Sequence, residues 1–145
     1  DPYYQAFNLE NRFINFAVNL GALGEGRIGF ESDYGAGSLS QAATLAYREV
    51  FGVDATAGKI DEILNTEVQG DLTRAEYFQA VTGSTSVDAL AVKAAVVGLF
   101  LVEAVKADLG PYASANGRFL DDLTDDGSAQ FNVNLLLAYP ELASL

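Results

Sequence analysis

From Ala89 to Val102 this chain is apolar on nearly every side of a helical wheel, interrupted only by Lys93 and Gly98. A surface helix needs a polar arc, so a segment without one must be enclosed by other elements. The run also falls short of the ~20 apolar residues that cross a bilayer. The spacing therefore predicts a long buried helix, starting at Ser86 or Asp88, reaching about Asp108, and broken by Gly110-Pro111. Ala91, Ala94 and Gly98 leave one of its faces almost without side-chain bulk, which permits close helix crossing.

A second helix, from about Pro2 to Leu20, is predicted by Pro in the first turn and Gly21 as a stop. Its apolar arc, carrying Tyr3, Phe7, Phe13, Ile14, Phe16, Ala17, Val18 and Leu20, is too wide for one partner, so this helix also belongs at the centre. Gln5, Asn8, Asn11, Arg12, Asn15 and Asn19 crowd the opposite sector.

The rest reads as shorter helices. Gly21, Gly24, Gly26, Gly29, Gly35 and Gly37 mark a loop, with at most a short helix around Arg27 to Tyr34. Ser38 or Ser40 caps a helix through Val50 and Phe51, which Gly52 ends. Thr56 to Leu64 and Thr73 to Val81 follow, the latter opened by a capping box from Thr73 to Glu76. Tyr112 to Leu123 and Ala129 to Ala138 flank an acidic turn at Asp125-Asp126-Gly127. No segment shows period-two alternation, so no strands are expected. The expected fold is all-α: a compact multi-helix domain, residues 1–145, around two buried central helices. Without an initial Met, and starting abruptly at Asp1-Pro2-Tyr3, the chain is expected to be a fragment or processed product of a longer protein.

Composition narrows the chemistry. With 8 basic and 20 acidic residues the net charge is −12, and the cations are spread singly from Arg12 to Arg118. Nucleic acid and anionic lipid both demand a basic face, so neither is an expected partner. Cys and His are absent, which removes thiolate nucleophiles, imidazole bases and the usual ligands of zinc, copper and haem. Carboxylates and carbonyls remain, and they suit calcium. Read as a calcium loop from Asp122, the turn offers Thr124, Asp126 and Gly127 in order. It then places Val133 where a bidentate Glu belongs. A solvated turn explains it more simply.

Two features of the first helix need an account. Glu10 falls inside the apolar arc, where a carboxylate is costly unless paired. An acid/base or metal-ligand role is open to it, but the plainer expectation is an ion pair with Lys93. Asn8, Asn11, Asn15 and Asn19 form a stripe of mediocre helix formers. Amides both donate and accept, which suits sugar hydroxyls, and Tyr3, Tyr4 and Phe7 offer stacking faces. The structural alternative is that the stripe bonds to the glycine-rich loop or faces water.

The stripe also carries a resemblance. Tyr3-Tyr4-Gln5-Ala6-Phe7, the run Glu10-Asn11-Arg12-Phe13-Ile14-Asn15-Phe16, and Asn19-Leu20 resemble the N-terminal domain of Caulobacter-type surface-layer (S-layer) proteins. Leu90-Ala91-Val92-Lys93-Ala94-Ala95 and Ala138-Tyr139-Pro140 are similar to the same family in the same order, while residues 24–80 match loosely. The resemblance implies type I secretion through an uncleaved C-terminal signal, with calcium-binding glycine/aspartate repeats downstream and earlier helices upstream. It further implies a non-catalytic module outside the outer membrane that binds lipopolysaccharide O-antigen. Tyr4, Asn8, Asn11, Arg12, Asn15 and Asn19 are then the expected polysaccharide contacts. The rival is a self-assembling protein whose copies pack into a lattice or filament. An exposed apolar patch would favour assembly, and a polar groove with aromatic walls would favour sugar. A glycan-processing enzyme would need two carboxylates across one cleft, and nothing in the sequence places them so.

Overall fold

The computed structural model describes residues 2–24 and 26–106. Six α-helices dominate these residues: α1 (Pro2–Val18), α2 (Arg27–Tyr34), α3 (Leu39–Phe51), α4 (Lys59–Asn65), α5 (Arg74–Thr82) and α6 (Leu90–Lys106). The architecture is all-helical, as the periodicity requires. The helices expected between residues 112 and 138, and the acidic turn between them, lie outside the described residues.

Helix α6 is the axis. Every residue from Val92 to Ala104 is buried except Glu103, and Gly98 lies against α1. Phe13, Ile14 and Ala17 form the buried edge of α1, while α3 brings Leu39, Ala42, Ala43, Ala46 and Val50. Phe30 from α2 and Phe78 from α5 close the core. Alanine is frequent at these contacts, which lets the helix axes approach closely.

Helix ends follow local chemistry. Ser38 accepts from the Gln41 amide while the Gln41 side chain accepts from the Ser38 amide, so α3 starts in a capping box. Asp88 supplies a further cap from far along the chain, its Oδ1 accepting the Leu39 N–H at 2.7 Å. Gly52 takes a left-handed φ of 76°, which strains any residue with a Cβ, and ends α3. Thr73 and Glu76 form the second box, at α5.

The box leaves a titration signature. The backbone N–H of Thr73 donates to Glu76 Oε1, and this bond, followed by the one to the Thr73 side chain, holds the carboxyl below its usual value. A lowered folded-state value means the contribution is present above the unfolded carboxylate pKa and lost as pH falls through the folded one. The Glu76 side-chain carbon resonance is expected to titrate below an ordinary glutamate, and Thr73→Ala, which removes the hydroxyl but keeps the backbone N–H, should return it only part of the way. An unmoved midpoint in Thr73→Ala would show that the backbone N–H alone holds the charge.

Three departures from expectation stand out. Helix α1 does not stop at Gly21: Asn19–Leu23 continue as a π-helical turn that buries Gly21 and Ala22. Among the described residues there are also two short antiparallel strands, β1 (Glu67–Gln69) and β2 (Leu72–Thr73). They are too short and too exposed to show an alternating pattern. Finally, Glu10 does not pair with Lys93. It meets Arg74 at 3.3 Å, while Lys93 Nζ donates to the carbonyls of Gly35 (3.0 Å) and Gly37 (2.9 Å).

Candidate functional site

From Asn11 onward the polar sector of the first helix is turned away from the core because Phe13, Ile14 and Ala17 are buried. Arg12, Asn15 and Asn19 are exposed and Asn11 is half-buried. Tyr4 and Asn8 belong to the same helix, with side chains outside the described set. Among the described residues, the side chains of Asn11, Asn15 and Asn19 form no hydrogen bond to the glycine-rich segment or to any other group. That segment is satisfied differently, through Gly26 N–H to Leu20 O (3.1 Å), Phe30 N–H to Gly26 O (3.0 Å) and the Lys93 bonds.

Glu10 is about one-quarter exposed and paired, and its partner Arg74 lies over the Phe78 ring at 5.7 Å from the centroid. The carboxylate thereby ties α1 to the start of α5. An acid held in an ion pair, with no second carboxylate facing it in the pair, is arranged for structure rather than proton transfer. The Tyr34 phenol is pushed well above its ordinary pKa by burial, then by Glu49 and Asp33, so it stays protonated.

Sequence reading missed a second feature. Helix α4 packs against α3 and α5, and between it and α6 lies a groove of about 340 Å³. Tyr47 and Phe51 of α3 and Phe100 of α6 form its aromatic wall. The Tyr47 ring stands 4.6 Å from Phe51 and 5.6 Å from Phe100, edge-on to the latter. Lys59, Glu62, Thr66, Arg74 and Glu103 supply the polar lining. The one local signal was the aromatic pair at i and i+4 on α3, which also suits a core stripe. The remaining residues converge from three other segments.

No group of three or more acidic side chains is gathered to hold a metal ion among the described residues. The proposed calcium turn from Asp122 to Val133 lies outside them. No helix among the described residues is long and apolar enough to cross a membrane.

A row of amides and an aromatic groove with a mixed polar lining both lie on a tightly packed helical body. The chain belongs to the family of the RsaA N-terminal domain, whose family model matches residues 1–144. It is therefore an N-terminal domain of the Caulobacter S-layer type, located outside the cell at its surface. That family is structural rather than a known enzyme family. Neither the curated proteins nor the solved structures compared with the chain gave a match.

Proposed function

We propose that this domain anchors its S-layer protein to the cell by binding the O-antigen polysaccharide of lipopolysaccharide. The observation that carries the reading is the run of amides Asn11, Asn15 and Asn19 along α1 and the π turn, half-buried or exposed and unused by the fold among the described residues. Asn is a poor choice for a helix unless its hydrogen-bonding capacity is spent somewhere. A polyhydroxyl ligand takes both the donor and the acceptor of each amide. The net charge of −12 supports an uncharged target over the phosphates and acids nearer the membrane.

The test is the double variant Asn11→Ala with Asn15→Ala. Each lost hydrogen bond is worth about 0.5–1.5 kcal/mol, so attachment to O-antigen-bearing cells should weaken about tenfold. Thermal stability should hold or rise slightly, because Ala is the better helix former by about 0.5 kcal/mol per site. A variant that attaches normally, or one that melts early, removes the stripe from the binding surface.

A second reading, contact between copies in a lattice, draws on two side chains. Leu23 at the end of the π turn and Ile28 on α2 are 73% and 77% exposed. Leu23 shares the π turn with Asn19 at the end of the amide row, while Ile28 lies on α2, so the two surfaces adjoin at that turn.

A further inference from the structure

The groove between α3, α4 and α6 is not accounted for by the amide row. Its size, about 340 Å³, places it at the small end of ligand clefts, which run from about 300 to 1,000 Å³. A long apolar helix or an extended peptide would need a longer channel. One wall is aromatic, through Tyr47, Phe51 and Phe100; the rim is polar, through Lys59, Glu62 and Arg74. A ligand that fits must have one apolar face and hydrogen-bonding groups around its edge. Pyranose rings have this form: axial C–H groups gather on one face and hydroxyls project at the periphery.

Charge decides which sugars. The two cations of the lining, Lys59 and Arg74, are matched by two carboxylates, Glu62 and Glu103. Arg74 is moreover already bonded to Glu10 at 3.3 Å. A phosphorylated or carboxylated sugar would therefore find no net positive field, and it would approach a chain of net charge −12.

We propose that this groove is a binding subsite for an uncharged sugar ring, packed on Tyr47 and Phe51 and hydrogen-bonded at its rim by Lys59 and Glu62. The inference rests on the polysaccharide-anchoring reading and adds a second contact, on elements other than α1. Two contacts on one flexible polymer raise the effective concentration at each and strengthen attachment without new chemistry.

Calorimetric titration of the 145-residue chain tests it, with two probes: O-antigen polysaccharide freed of lipid A, and the phosphorylated lipid A–core portion dispersed in detergent. Tyr47→Leu keeps apolar bulk but removes the ring. The pair Lys59→Gln with Glu62→Gln alters only the rim, so it remains informative should the wall variant fold poorly. Each is expected to weaken polysaccharide binding about two- to tenfold, the loss of one aromatic contact or a hydrogen bond. The phosphorylated portion should bind more weakly than the polysaccharide. If the rim variant binds like the parent while the Asn11/Asn15 variant is impaired, the groove proposal is overturned and the anchoring reading stands. Tighter binding of the phosphorylated portion overturns the assignment to an uncharged sugar. A parent chain that binds neither probe overturns both readings.

Discussion

Gly98→Ala is expected to lower the unfolding free energy by about 1–3 kcal/mol, although glycine inside a helix is normally the worse residue. At an ordinary helical position the exchange would gain about 1 kcal/mol, by reducing the entropy of the unfolded chain and restoring helix propensity. Gly98 is not an ordinary position. A Cβ built there would stand 2.8 Å from Ile14 Cα, 2.8 Å from the Phe13 carbonyl oxygen and 3.0 Å from Ile14 N. All three are backbone atoms of α1, so no rotamer change relieves the overlap. The two helices must separate, and Phe13, Ile14 and Ala17 lose contact with the fully buried face of α6. Gly98→Val should cost more, because its branches are stiff and meet the same backbone. Urea denaturation reads both. An alanine variant more stable than the parent would mean that α1 and α6 cross with space to spare.

That crossing was legible in the sequence because it depends on one helix. Ala91, Ala94 and Gly98 recur on one face, and periodicity reports faces reliably when the segment is long. The capping box at Thr73 and Glu76 was legible for the same reason, since a box spans only the four residues from cap to partner. At α3 the sequence read Gly52 as terminator but left the cap between Ser38 and Ser40; the structure places it at Ser38, with Gln41 completing a second box. What escaped was long-range. Glu10 and Arg74 are 64 residues apart, and nothing local distinguishes Arg74 from Lys93 as the partner. The π turn escaped because Gly21 is a valid stop signal; the chain overrides it by burying Gly21 and Ala22 beneath the continuing turn. The groove is the extreme case, since α3, α4, α5 and α6 each give one or a few residues to it. Of the expected contacts, the α1 row was readable as a polar face. Whether its amides were spent inside the fold was not, because that depends on where the glycine-rich segment runs.

Lys93 is where that segment is fastened, and Lys93→Met is expected to destabilise the chain by about 1–3 kcal/mol. The side chain is only 2% exposed, in the first turn of an apolar helix. Its ammonium reaches the Gly35 and Gly37 carbonyls, just past the end of α2. These carbonyls and the negative end of the α2 dipole together compensate the buried charge. Methionine keeps the length of the stem and nearly its volume, so a cavity contributes little. Two effects then oppose each other. The desolvation penalty of the ammonium disappears, which favours the variant. Against it, two hydrogen bonds from a charged donor are lost, each worth about 1.5–3 kcal/mol, and part of that loss is recovered where water reaches the exposed Gly37. The bonds outweigh the desolvation because both are short and come from a charged donor, at 3.0 and 2.9 Å. Lys93→Ala should cost more than Lys93→Met, since it also removes the stem from the core. Hydrogen exchange locates the effect: amides in the last turn of α2 should lose protection first. The Leu39 amide should keep its own, because Asp88 still accepts from it. A Lys93→Met chain as stable as the parent would show that the core tolerates the ammonium without depending on it. In that case the glycine-rich segment must be held chiefly by Asp88 and by its own backbone bonds.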